Sequence, residues 1–215
     1  MIYSLAQFKN IQPREAYCME SERLEKQIQF IVEIDKLKQI YRQTYLMDGS
    51  RRENSVEHSW HLALMTVLLA EYSPSESLDL FRVLKMVLIH DLVEIDAGDT
   101  LCYDEKARRS QKSRELMAAD RIFNLLPPDQ AGKMRDLWDE FEASLTPEAG
   151  FARAIDRMQP VLHNYHTRGA AWRKHGVTRD QVVTRNHEIE KAAPELWDYI
   201  HALIERAVEK GYLLP

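Results

Sequence analysis

The sequence predicts an all-α protein folded as a compact helical bundle. Three observations carry that expectation. Apolar residues recur at three- and four-residue intervals rather than alternately, no stretch reads as a strand, and only 7 glycines and 8 prolines punctuate 215 residues. With 45 % apolar and 29 % charged residues the chain has an ordinary soluble balance and is long enough for one sizeable core, so residues 1–215 are read as a single domain. The intervals between helices are too short to suggest a separate second unit, and no repeat or low-complexity tract is present.

The first long helix is expected from about Glu22 to Tyr45, with Ile28, Ile31, Ile34, Leu37 and Tyr41 on one stripe and Asp48-Gly49-Ser50 closing it. Asn54, with Glu57 three positions later, is a capping-box start for a second helix that runs to Ser73-Pro74. The segment LDLFRVLKMVLIHDLVEI is apolar nearly all round, which predicts a central helix ending at Gly98. A charged helix through DEKARRSQKSRELMAADRIFNLL closes at Pro127-Pro128, and an amphipathic segment follows through Met134, Leu137, Trp138 and Phe141. Pro147 opens the next helix, FARAIDRMQPVLHNYH. The last two run near Arg179 to Lys191 and from Pro194 to Gly211, and pack on the rest. Trp60, Trp138, Trp172 and Trp197 read as core or interface residues.

Composition also excludes some partners. A formal charge of −5 and a pI near 5.9 lack the basic footprint that a nucleic acid polymer requires. No run is apolar and long enough to span a membrane, and MIYSLAQFKNIQPREAYCME lacks a basic region followed by an apolar one, so an unprocessed soluble chain is expected. Cys18 and Cys102 form no CxxC pair, consistent with a reducing cytoplasm.

The chemistry-bearing residues are polar groups set in apolar helices. In LKMVLIHDLVEI an ionised Asp91 is costly unless it is paired or ligates a metal, although a buried His90 bonded to its neighbour explains the dipeptide equally well. Glu94, four positions after His90 and three after Asp91, shares their helix face, and burying all three for stability alone would be wasteful. His58 sits in the first turn of its helix, where the macrodipole favours the neutral imidazole that binds metals. Asp156 is an acid on a mainly apolar helix, with an ion pair to Arg157 as the plain alternative.

His58, then adjacent His90-Asp91, then Asp156 resembles the H…HD…D signature of the HD-domain superfamily of metal-dependent phosphohydrolases. The strings ENSVEHSWH, IHDLVEIDAGDT and AIDRMQPVL are similar to its 5′-deoxynucleotidase-like branch, over roughly three-quarters of the chain. The resemblance implies a bundle with a central metal held by His58, His90, Asp91 and Asp156. Two imidazoles and two carboxylates suit Mn, Fe, Co, Ni or Zn better than Mg or Ca. Dinuclear members, including di-iron oxygenases, carry further histidines between the HD pair and the last aspartate; none stands between Leu92 and Ile155, so one divalent ion is expected. His61, on the same face as His58, is a spare ligand or an ordinary hydrogen-bonding side chain.

By the same resemblance Glu94 is the general acid/base or water-orienting group, and Asp99 lies at the pocket near the leaving group or sugar, with a helix N-cap as its alternative. Arg42 corresponds to a phosphate-binding arginine that tryptophan follows in deoxynucleotidases; here Gln43 follows. Arg51 and Arg52 rank below it as loop arginines. Lys106, Arg108, Arg109, Lys112 and Arg114 read as a solvated face before a substrate clamp. The implied activity is hydrolysis of a small phosphate ester, a nucleoside 5′-monophosphate first, with a triphosphohydrolase, a phosphodiesterase and a non-catalytic metal module as the other readings. A homodimer is expected, with the aromatic-rich C-terminal helices as its interface.

Overall fold

The computed structural model describes residues 13–100, 103 and 105–215, with side chains described from 21 onward apart from 101, 102 and 104–109. Cys18, Cys102, Lys106, Arg108 and Arg109 therefore lie outside the described side chains. The helices are α1 (Pro13–Ile34), α2 (Ser55–Leu69), α3 (Leu80–Ile89), α4 (Glu94–Ala97), α5 (Glu105–Phe123), α6 (Pro128–Ala143), α7 (Pro147–His166), α8 (Ala170–His175), α9 (Arg179–Asn186), α10 (Ile189–Ala192) and α11 (Pro194–Glu209). The fold is an all-α bundle. Its axis is α7, which packs on α2, α3, α6, α10 and α11. One apolar core runs from Phe30 to Leu213, with Leu62, Met86, Ile122, Phe151, Ile155 and Ile204 fully enclosed. Among the described residues no helix is long and apolar enough to cross a membrane.

Two features correct the reading of the first helix. Helix α1 ends at Ile34, a 3-10 turn covers Asp35–Gln39, and the chain then forms an antiparallel hairpin of β1 (Tyr41–Tyr45) and β2 (Arg52–Asn54). Asp48-Gly49 is the hairpin turn: Gly49 takes φ +75°, and Asp48 accepts the Ser50 amide at 2.9 Å. Ile28 and Ile31, expected to face the core, are exposed, and only Leu37 of that stripe is buried among the core residues. Arg42 consequently stands on a strand rather than a helix.

The expected capping box is present. Asn54 accepts the Val56 and Glu57 amides, and Glu57 returns to the Asn54 amide. Asn54→Ala should cost about 1 kcal/mol of stability, read as a lower midpoint in urea unfolding with unchanged m-value. The central helix is not continuous: α3 stops at Ile89, His90–Val93 form a 3-10 turn, and α4 begins at Glu94. Nor is α3 buried all round, since Phe81 and Leu88 face outward. Gly98, at φ +73°, closes α4 and turns the chain toward Asp99. Pro160 lies inside α7 and has no N–H to give the carbonyl four residues back, that of Asp156. The helical ladder is thus interrupted on the turn that carries this acid.

Candidate active site

The sequence-selected side chains arrive on five different elements. His58 comes from the first turns of α2, His90 and Asp91 from the 3-10 turn, Glu94 from α4, Asp156 from α7 and Arg42 from β1. His58 Nε2 lies 3.1 Å from Asp156 Oδ1, and His90 Nε2 lies 3.7 Å from the same oxygen. Ligand atoms of His58, His90 and Asp156 sit within 4.8 Å of one another. Asp91 places Oδ1 3.0 Å from His90 Nε2 and Oδ2 3.8 Å from His58 Nε2. Its Oδ2 also accepts from an Arg42 guanidinium nitrogen at 2.7 Å. Three of the four expected ligands thus form one group, and Asp91 lies against both histidines while bonding Arg42.

The ring orientations are fixed from behind. His90 Nδ1 donates to the Val87 carbonyl at 3.0 Å, which turns Nε2 toward the acids. That Nε2 is buried and has no hydrogen-bond partner. The His90 carbonyl in turn accepts from Trp138 Nε1 at 3.2 Å. Arg157, the alternative partner of Asp156, pairs instead with Glu188 at 2.6 Å.

The electrostatics favour a cation. Burial, then the Arg42 charge, pushes His58 down to about 4, so it is neutral. Burial also opposes charge on His90, but the Asp91 and Asp156 carboxylates outweigh it and hold this imidazole up to about 10. Against burial, His58 and His90 hold Asp156 well below the usual carboxylate range, and His90 and Arg42 lower Asp91. Burial raises Glu94, and the Asp91 charge raises it further. Burial opposes charge on Arg42, but the carboxyl groups of Asp91, Glu94, Asp99 and Asp156 outweigh it and raise its pKa. A neutral imidazole, an unpartnered ring nitrogen and excess carboxylate make a donor set that a divalent metal ion fits.

This cluster opens on a cavity of about 560 Å³ lined by Arg42, Asp91, Glu94, Asp99, Tyr103, Lys112, Asp156 and Trp172 among others. Such a volume suits a nucleotide-sized ligand. A family model described as an HD domain matches residues 34–197. The chain belongs to the HD-domain family. A solved structure described as a predicted metal-dependent phosphohydrolase from Magnetospirillum magnetotacticum MS-1 is 53 % identical, with TM-score 0.86 over 90 % of this chain and 96 % of that one. PH0347 protein from Pyrococcus horikoshii OT3 shares the fold at 21 % identity and TM-score 0.61, over 82 % and 99 % of the two chains. Curated relatives named 5′-deoxynucleotidase HDDC2, from Xenopus laevis and Homo sapiens, are 27 % identical over 136 residues, 63 % of this chain. The match spans 66 % and 65 % of those two relatives' own lengths. The HD-domain membership implies a divalent metal.

Several residues of this HD-domain chain were not singled out by sequence. Glu53 is buried beside the site, with Oε2 3.8 Å from both His58 Nδ1 and Arg42 Nε. Ser55 donates to Glu94 Oε2 at 2.7 Å, and Gln159 donates to Glu53 Oε1 at 2.7 Å. Burial pushes Glu53 up to about 7. Asp99 precedes Glu105, the first residue of α5, by too many positions to cap it; it lines the cavity, and its Oδ2 is buried without a partner. Arg51 pairs with Glu57 in solvent, and Arg52 bonds Gln43. From the basic run, Lys112 lines the cavity while Arg114 ties down Ala97 and Thr100. His61 does not join the first cluster and belongs to a separate one.

Proposed function

We propose that this HD-domain chain is a metal-dependent phosphomonoesterase acting on nucleoside 5′-monophosphates, with His58, His90, Asp91 and Asp156 holding one divalent transition-metal ion. The observation that carries the reading is the convergence of two imidazoles and two low-pKa carboxylates from three elements at the wall of a nucleotide-sized cavity. When bound, the ion supplies Lewis acidity toward a phosphate oxygen and a water molecule.

The chain's own groups supply the rest. Arg42 spends one N–H on Asp91 and keeps a buried, unpartnered Nε, so it fixes that ligand and offers positive charge to phosphate. Ser55 holds Glu94 Oε2, leaving Oε1 as the atom that moves protons. In the net reaction water adds oxygen to phosphorus as the ester P–O bond breaks, and the leaving alkoxide takes a proton by way of Glu94. Asp99, with Oδ2 free at the cavity wall, is placed to accept from a sugar hydroxyl.

Phosphate release from ribo- and deoxyribonucleoside monophosphates tests this, using protein stripped of metal and resupplied separately with Mn, Co, Zn or Mg. Release that depends on the ion supports it. Pyrophosphate from triphosphates, or cleavage of diesters alone, would replace it with the sister activities. Metal uptake without turnover on any of these would leave a binding module.

The same proposal takes residues 1–215 as one cytoplasmic domain that works as a homodimer. The C-terminal helices expected to pair expose Tyr199, and a larger set of exposed apolar side chains stands on the N-terminal helices. Leu24, Ile28, Ile31 and Val32 of α1, Trp60, Leu64, Val67 and Leu68 of α2, and Leu88 of α3 are all exposed, each set on one helix face. Trp197 of α11 is buried instead. An apolar face spread over three helices is large for a monomer. Leu68→Glu, at a residue 70 % exposed, should halve the mass by light scattering while leaving helicity unchanged; a monomeric wild type would refute the dimer.

A further inference from the structure

A second group of ligand-type side chains lies on the Nδ1 side of His58, away from the atoms that meet Asp156. Glu53 from β2, His61 from α2 and His163 from α7 bring one ligand atom each within 4.8 Å of one another. Gln159, fully buried one turn before His163, projects its amide among them. Its nitrogen lies 2.7 Å from Glu53 Oε1, 3.0 Å from His163 Nε2 and 3.4 Å from His61 Nδ1.

The hydrogen-bond accounting does not close. An amide nitrogen carries two hydrogens and here faces a carboxylate oxygen and two ring nitrogens, while its own Oε1 is buried with no donor. His163 cannot relieve this, because its Nδ1 donates to the Tyr45 carbonyl at 2.8 Å and so leaves only a lone pair on Nε2. The His61 and His163 rings, 5.7 Å apart between centroids, both turn a ring nitrogen to the Gln159 amide, and on His163 that nitrogen carries a lone pair. A half-turn of the Gln159 amide would aim Oε1 at Glu53 and the two rings, so that with the lone pair of His61 on Nδ1 four ligand atoms surround one point. Four ligand-type atoms gathered at one largely enclosed place are what a cation satisfies.

We infer that Glu53, His61, His163 and Gln159 form a second metal site, separate from the one at His90 and Asp156 and suited to a transition-metal ion. Two imidazole nitrogens with two oxygen donors match a four-coordinate zinc-like shell rather than the all-oxygen shell of Mg or Ca. Entry is from the surface: His61 is only half-buried and neighbours exposed Trp60. Glu53 links the two places, since Oε1 faces this cluster while Oε2 faces His58 and Arg42. The chain then carries two mononuclear sites on opposite sides of the His58 ring, not a dinuclear centre.

The test is zinc stoichiometry of the metal-stripped full chain, by calorimetry and by metal content after dialysis. Wild type should take up two equivalents, His61→Ala one, and Asp156→Ala one. His61 is the residue to remove because it is partly exposed and makes one long hydrogen bond. One equivalent in wild type, or two in His61→Ala, would overturn the site. Two equivalents in Asp156→Ala with one in His61→Ala would instead sink the ligand set of the first site and leave this one standing. Gln159→Glu gives a second, opposite readout. A carboxylate there should tighten zinc at this site at least tenfold and make thermal stability zinc-dependent; loss of stability that zinc does not restore would show that the amide is a donor holding an ordinary hydrogen-bond network, and would also overturn the site.

Discussion

Asp91→Asn is expected to lower kcat/KM for nucleoside monophosphate hydrolysis about a thousandfold or more, a loss of about 4 kcal/mol in transition-state stabilisation. The carboxylate does two things at once. Oδ1 stands 3.0 Å from the unpartnered His90 Nε2 and Oδ2 accepts from Arg42 at 2.7 Å, so the charge both completes the donor set and neutralises a buried guanidinium. Asparagine keeps the shape and an acceptor for Arg42 but removes the negative charge. Alanine would do more damage for a less informative reason. It would strip Arg42 of the carboxylate it bonds at 2.7 Å, at about 1.5 to 3 kcal/mol of stability, and so confound lost chemistry with lost fold. The measurement is metal-dependent phosphate release together with metal content. Asp91→Asn with undiminished turnover would remove Asp91 from the ligand set.

Much of this fold can be read locally because its start and stop signals are local. Asn54 with Glu57, Pro147 behind Thr146, Thr178 ahead of Arg179, Pro194 and Gly98 each mark a helix end by a hydrogen bond or a backbone angle within a few residues. The hairpin was hidden because Tyr41-Arg42-Gln43-Thr44-Tyr45 continues the apolar spacing of the preceding helix, and its burial does not alternate cleanly. Asp48-Gly49 was the available signal, since that dipeptide favours a hairpin turn as readily as a helix end. The short α8 was missed between two left-handed glycines, Gly169 and Gly176. Periodicity also does not say what an apolar stripe faces. Ile28 and Ile31 carry the right spacing, yet point outward.

The candidate site divides the same way. His90-Asp91 was conspicuous because charge in an apolar helix is costly wherever the chain goes, and Glu94 followed from helical spacing, although the 3-10 turn at His90–Val93 replaces the continuous helix assumed for it. Glu53, Gln159 and His163 were invisible for the opposite reason. Gln159 reaches Glu53 across 106 positions, and His163 reaches Tyr45 across 118. Nothing in the sequence near Glu53 says that a glutamate beside a capping asparagine will be fully enclosed. Its burial depends on the hairpin, whose Tyr45 carbonyl is bonded to α7.

Glu94→Gln is expected to lower kcat by about 10² to 10⁴ while leaving KM and metal content nearly unchanged. Burial and the neighbouring Asp91 charge favour the protonated form of Glu94, and glutamine reproduces the size and neutrality of that form. Its amide oxygen can still accept from Ser55 Oγ, which lies 2.7 Å from Oε2. What glutamine lacks is a proton it can give and take, so a fall confined to kcat reports proton transfer rather than packing. Ser55→Ala provides the comparison. It frees Oε2 without removing the acid, and should cost far less in kcat than Glu94→Gln, because the hydroxyl positions the carboxyl and carries no proton to the substrate itself. Equal losses in the two variants would mean that Glu94 acts only by holding the 3-10 turn of His90 and Asp91 in place; a loss in kcat that appears for Glu94→Gln alone makes this carboxyl the group that handles the proton.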